Sequence, residues 1–93
     1  MFYTYVIYSL KYDKYYIGQT NDIVRRVTEH NSKPVNSFTA KYRPWELVSF
    51  LQFETRSESM KVEKYLKNKH KVFLKRLTID KTLHEYIQIR FEK

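Results

Sequence analysis

The chain predicts one small α/β domain of the α+β kind: a three-stranded antiparallel sheet flanked by helices, with an extra element at its C-terminal end. Three observations carry that prediction. A run rich in Tyr, Val, Ile and Thr opens the chain and is interrupted once by a short polar turn. The apolar period then changes from that of a strand to that of a helix. Finally, 93 residues suffice for one modest core.

Residues Phe2 to Leu10 are strand formers, and Lys11-Tyr12-Asp13-Lys14 reads as a turn into a second short strand, Tyr15 to Thr20. Strands joined so closely form an antiparallel hairpin. Asn21 or Asp22 then caps a helix beginning NDIVRRVTEHN, because either side chain can accept from a free N–H of the first turn. Ile23, Val24 and Val27 form its apolar stripe. Pro34 ends it, since proline cannot continue a helix. The polar, basic stretch from Pro34 to Pro44 reads as a loop. Trp45 to Phe53 (WELVSFLQF) is a third strand, apolar on both faces, which suits a central place in the sheet or a place under helices. Thr55, Ser57 and Glu58 signal a second helix running to His70 or so. Val72, Phe73, Leu74 and Leu77 give the next basic stretch the pattern of a short helix. From Thr78 the tail fits two readings. EYIQIRF alternates as a strand does, while Leu83, Tyr86, Ile87 and Arg90 fit a helical face, and periodicity does not separate them.

Lys and Arg total 18 against 10 Asp and Glu, a net charge of +8 that favours polyanions: DNA, RNA or an anionic membrane face. Solubility alone is the plainer reading. Nine Tyr, six Phe and one Trp point to a Tyr-rich core or an aromatic-lined cleft, where a ring packs while its hydroxyl meets a polar partner. Charge and aromatics together favour nucleic acid. The absence of cysteine excludes disulfides and Cys-rich zinc sites, and His70 and His84 show no paired ligand pattern. The apolar opening MFYTYVIYSL lacks a basic n-region and a small-residue cleavage site, and no stretch approaches a membrane span. A cytoplasmic protein with no membrane partner is expected.

Several residues stand out before any family is considered. Gly18 is the only glycine; at a strand end it marks a bulge, the close approach of another group, or a simple turn requirement. Arg26 and His30 are spaced i, i+4 and share one side of the first helix. On the second helix Ser59, Val62, Glu63 and Leu66 fall on one side, so Glu63 lies on or beside a buried stripe. An unpaired carboxylate there is costly. It is either in a salt bridge, with Arg26 as a candidate, or a metal ligand. Tyr5 and Tyr16, each taken alone, read as core aromatics.

The order strand, turn, strand, helix, loop, strand, helix, with Tyr5 on the first strand, YIG at 16–18, Arg26 and His30 on the first helix and Glu63 on the second, resembles the GIY-YIG nuclease family. The strongest local match is YYIGQTNDIVRRVTEHN, with WELV and VEKYLK following in the expected order. The first motif departs from the family pattern: Tyr3-Thr4-Tyr5 stands there and only its tyrosine is kept. Tyr5 is taken over Tyr8 because ten residues separate it from Tyr16, which suits the family spacing. The resemblance implies a catalytic domain over 1–77, with 78–93 as a C-terminal extension packed on it. It implies a divalent-metal-dependent DNA endonuclease in repair, recombination or processing, acting on branched or damaged duplexes, with an accessory protein or a second copy as further partners.

By the same resemblance one tyrosine deprotonates the attacking water, Tyr5 being assigned that role and Tyr16 a positioning one. Arg26 grips the scissile phosphate, where a fixed planar cation stabilises developing charge. His30 shuttles a proton, contacts phosphate or caps the helix end. Glu63 holds Mg²⁺ or Mn²⁺, a cation that often takes one or two carboxylates and completes its shell with water and phosphate. Gly18, Lys33, Lys41, Arg43 and Lys67 are the candidate DNA contacts. Asn36, Ser37 and Thr39 sit in the same loop, and the lysines from Lys61 to Lys75 form either a backbone-binding surface or a solvated basic face. Nothing among them reads bases. The rival readings are a nucleic-acid-binding module without turnover, and an RNA-associated scaffold whose tyrosines are only core.

Overall fold

The computed structural model describes residues 1–32, 38–79, 81 and 83–91, with side chains to Gln88 in the last helix. Strand β1 (Phe2–Ser9) pairs antiparallel with β2 (Lys14–Thr20), from Tyr3 opposite Thr20 to Ser9 opposite Lys14. At the connecting turn Asp13 adopts a positive φ of 52°, which Asp tolerates better than most side chains. Its carboxylate accepts from the Tyr8 hydroxyl at 2.7 Å and pairs with Lys71 at 3.0 Å. Both partners hold the Asp13 pKa below the usual carboxylate value, the Tyr8 hydrogen bond first.

On the other side β1 pairs antiparallel with β3 (Glu46–Phe53), giving the order β2-β1-β3. The central strand is therefore β1, whose Thr4, Tyr5, Val6 and Ile7 are all buried. This corrects the expectation of a central third strand. Leu51 does reach the core under the helices, but Leu47 and Phe50 remain 38% and 49% exposed. An apolar strand needs cover on both faces to be buried on both, and at the sheet edge β3 has it on one. A register shift opposite Val6 and Ile7 adds Val48 as an extra residue and turns it toward the same core as Leu51.

Alternation along the strands sends their side chains to two different cores. Val6, Ile17 and Leu51 pack with Val62 and Leu66 of α3 (Arg56–Lys67), Leu74 and Leu77 of α4 (Lys71–Ile79), and Leu83 and Ile87 of α5 (Leu83–Phe91). Tyr5 and Ile7 point the other way, to Trp45, Tyr16, Val27 and Tyr42, under α1 (Ile23–Ser32) and the single turn α2 (Phe38–Lys41). That turn lies in the stretch expected to be a loop. Thr39 is buried within it rather than exposed to a ligand, its carbonyl accepting from the Trp45 indole at 2.7 Å.

Of the two candidate caps for α1, Asp22 accepts from the Arg25 N–H at 3.1 Å. The expected apolar stripe is corrected at Val24, which is 79% exposed. Adjacent helical residues point about 100° apart, so the inner face runs Ile23, Val27 and His30 and leaves Val24 outside. Pro34, the expected helix stop, lies outside the described residues. Helix α3 begins with a capping box: the Thr55 side chain accepts from the Glu58 N–H at 3.2 Å and the Thr55 N–H donates back to the Glu58 carboxylate at 3.3 Å. The tail is a helix, because Leu83 and Ile87, one turn apart, are only 1% and 3% exposed in the shared core. No described helix is long and apolar enough to cross a membrane.

Candidate active site

The site is built around Tyr5. It stands opposite Gly18 across the hairpin, and its ring lies over the Gly18 Cα. A Cβ at Gly18 would meet the Tyr5 hydroxyl oxygen at 2.3 Å and the ring carbon bearing it at 2.5 Å, so only glycine leaves room. No positive φ is involved. The close approach read from the sequence is thus that of a tyrosine ring, and the turn requirement is not the reason.

Tyr5 is 1% exposed, and its hydroxyl lies 2.7 Å from Nε2 of His30, itself 3% exposed. Burial pushes the phenol up to about 12, with Tyr16 and Glu63 adding to the rise and Arg26 opposing it. Burial also pushes the imidazole down to about 4, helped by the positive charges of Arg26 and Arg43. Near neutral pH the pair is therefore an uncharged phenol against an uncharged imidazole. His30 is not an exposed helix cap; its ring points inward from the last turn of α1.

Tyr16 is half-buried and lines a cleft of about 550 Å³ with Asp13, Lys14, Phe38, Lys67 and Lys71. Its ring meets His30 edge-on at 5.0 Å and stacks with Phe38 at 6.2 Å. Trp45, 4% exposed, closes the base of this aromatic group. It is held by Asn31, whose side-chain oxygen accepts from the Trp45 N–H at 2.7 Å while its amide donates to the Trp45 carbonyl at 2.9 Å. Asn31 and Trp45 are positioning residues the sequence reading missed, because no local pattern links a helix end to a strand start fourteen residues on. Phe38 was also missed. It is 47% exposed, an aromatic left open at the cleft, and its ring contacts with Tyr42, Trp45 and Tyr16 are what make it visible.

Arg26 reaches the site from α1. Its guanidinium is fixed by Glu29 at 3.0 Å, an i, i+3 pair, and its positive charge opposes the rise of the Tyr5 pKa. The side chain keeps 38% exposure, so part of the planar cation faces solvent. Glu63 arrives from α3, on the opposite side of the sheet, yet its charge is felt at the Tyr5 hydroxyl. The salt bridge considered for it exists with a different partner: Lys67, one turn on, at 3.1 Å, rather than Arg26. The Lys67 ammonium also lies 5.9 Å from the centre of the Tyr16 ring. Tyr5, Tyr16, Arg26 and His30 thus come together from β1, β2 and α1, while Glu63 on α3 lines the neighbouring groove and is linked to them through Lys67.

Among the described residues no three His, Cys, Asp or Glu side chains gather in one place. A divalent cation here would be held by Glu63 with water and phosphate. That donor set, one hard carboxylate only 21% exposed beside an open groove, fits Mg²⁺ or Mn²⁺ and not zinc. Of the expected DNA contacts, Lys67 is in the site and Lys41 is exposed beside the Tyr42 ring, 5.5 Å from its centre. The Arg43 Nε–H donates to the His30 carbonyl at 2.6 Å, which ties the end of α1 to the segment before β3. Gly18 is covered by Tyr5. Lys33, Asn36 and Ser37 lie outside the described residues.

A family model described as the GIY-YIG catalytic domain matches residues 1–76. A UPF0213 protein of Listeria monocytogenes is 43% identical over 51 residues, 55% of this chain and 57% of that relative, so the chain spans little more than half the length of such relatives. A UPF0213 protein of Natronomonas pharaonis is 32% identical over 80 residues, 86% of this chain and 93% of the relative. The solution NMR structure of a UPF0213 protein from Bacillus halodurans superposes with a TM-score of 0.54 over 100% of this chain and 99% of that one. At 22% identity this is a likeness of fold.

Proposed function

We propose that this chain, which belongs to the GIY-YIG catalytic domain family, is a divalent-metal-dependent endonuclease that hydrolyses phosphodiester bonds in DNA. The family is a nuclease family; the metal, the substrate and a role in repair, recombination or processing are our reading for this chain. The observation that carries it is the convergence of two phenols, a guanidinium and a neutral imidazole beside the β1–β2 hairpin, with the Glu63 carboxylate in the adjoining groove and Lys67 between it and Tyr16.

In this reading Arg26 binds the phosphoryl oxygens, where negative charge grows in the transition state; Glu29 fixes the fork so that little reorganisation is needed. Tyr5, deeply buried and with its pKa raised to about 12, is protonated at neutral pH and positions rather than deprotonates. Its hydroxyl is set by His30, and the uncharged imidazole lets Arg26 remain the cation nearest the phenol. The cleft-lining Tyr16 is then the phenol that meets the attacking water, the reverse of the division expected from the sequence. Glu63 would hold Mg²⁺ or Mn²⁺, which supplies Lewis acidity at a phosphate oxygen. Lys14, Lys67 and Lys71 line the cleft, and with Lys41 beside Tyr42 they serve as backbone contacts, giving affinity without base readout. An accessory protein or second copy would lengthen so short a footprint.

The test is cleavage of branched and nicked duplexes with Mg²⁺ or Mn²⁺. Glu63→Gln keeps the side chain's shape and removes its charge, and is expected to abolish metal-dependent cutting. Turnover equal to wild type in that variant removes Glu63 from the chemistry. Tyr16→Phe is expected to cost more than Tyr5→Phe. One feature favours a second reading, a DNA-binding module of the same fold without turnover: the Glu63 carboxylate is already neutralised by Lys67. Tight DNA binding by the wild-type chain with no cutting of any tested duplex would establish that reading, and preference for structured RNA would redirect the substrate.

A further inference from the structure

The two grooves that meet at the site share one lining residue. The groove containing Tyr16 and Phe38 and the groove containing Met60, Glu63 and Lys64 have only Lys67 in common among the described residues. Lys67 is the last residue of α3, where the helix end favours a cation, and Glu63 sits one turn before it, the spacing at which a carboxylate and an ammonium meet. The resulting pair is 3.1 Å long, with the carboxylate side chain 21% exposed and the lysine side chain 50% exposed. The ammonium also faces the Tyr16 ring at 5.9 Å. It therefore stands between the acid on one side of the sheet edge and the phenol on the other.

We propose that Lys67 is the resident counter-ion of Glu63, holding the metal-binding carboxylate neutralised until a DNA phosphate draws the ammonium away. The inference rests on the nuclease reading and adds a coupling device to it. A lysine has a long flexible stem and a compact charge, so it exchanges one anion for another without moving the helix. When a phosphate enters the cleft beside Tyr16, the ammonium gains a second anion within reach, and Glu63 is released to a divalent cation in the same event. Metal and DNA then strengthen each other's binding through one side chain, and that coupling is reciprocal. Among the described residues, Lys67 is the lysine paired with the acid of the site.

The experiment is a Mn²⁺ titration of the free 93-residue chain followed by electron paramagnetic resonance, with no DNA present. Lys67→Met keeps the stem and removes the charge. It is expected to bind Mn²⁺ about fivefold more tightly than wild type, the factor that an ion pair of this exposure represents. The gain should vanish in Lys67→Met/Glu63→Gln, and Lys67→Arg should restore the weak wild-type affinity. Equal, Glu63-dependent affinities in wild type and Lys67→Met overturn the role of Lys67 and leave the metal site standing. Tight binding in Lys67→Arg overturns it too, since the charge would then not be the cause. If neither wild type nor Lys67→Met shows Mn²⁺ binding that Glu63→Gln removes, the metal assignment itself falls and this inference falls with it.

Discussion

The two faces of one three-stranded sheet do different work. On the face under α3, α4 and α5, Val6, Ile17 and Leu51 meet six aliphatic side chains, and the contacts are those of an ordinary apolar core. On the face under α1 and α2, the buried residues are Tyr5, Ile7 and Trp45, joined by His30, and nearly every buried ring carries a polar atom with a partner. The same strands supply both faces by alternation. The comparison teaches that stability and chemistry are separated by one residue of register. The aliphatic face anchors the strands, and that anchoring lets the polar face keep a phenol and an imidazole buried and uncharged. Glu63 is the exception that links them: it comes from the aliphatic side and reaches the sheet edge.

The largest expected effect tests the anchoring face. Leu83 is only 1% exposed, and Leu83→Ala is expected to cost about 2–5 kcal/mol in denaturant unfolding while activity per folded molecule stays the same. A proportional loss of activity in the folded fraction would show that the faces are not separable. Arg26→Ala sharpens the contrast from the other side. It is expected to lower turnover by about 10²-fold or more, roughly 2.7 kcal/mol of barrier, and to change stability by less than about 0.5 kcal/mol, since its bond to Glu29 is a part-exposed i, i+3 pair.

Gly18→Ala places a methyl where the Tyr5 hydroxyl stands, and a loss of about 1–3 kcal/mol is expected together with reduced cutting. A double-mutant cycle checks the cause: in a Tyr5→Leu background the same substitution should cost measurably less. An unchanged cost would place the strain elsewhere. The last effect is a pH dependence. His30 titrates near 6.5 when unfolded and near 4 when folded, so between these values the unfolded chain binds more protons. The stability due to the neutral imidazole is therefore complete above pH 6.5 and is lost progressively as pH falls toward 4. Unfolding curves measured across that window should slope for wild type and flatten for His30→Gln.

How much of this was legible in advance depends on how far each interaction reaches along the chain. The hairpin, the Asp22 cap and the Thr55–Glu58 capping box involve neighbours and were readable. So was the Glu63–Lys67 spacing, a four-residue signal, although Lys67 read as one basic side chain among many. The unique Gly18 was marked as special, but the ring that explains it arrives from across the hairpin. Whether the tail was helix or strand was not readable, because Leu83 and Ile87 fit either pattern until α3 and α4 supply the core they enter.

By itself the sequence determined the periods, the caps, the excess of positive charge and the set of side chains available for chemistry, all of which follow from residue type and short spacing. Only the tertiary structure decided that β3 lies at an edge, that Tyr5 and His30 are buried against each other across 25 positions, and that their pKa values are driven apart. Burial is a property of distant segments packed together, and it is burial that sets the charge state of a phenol or an imidazole.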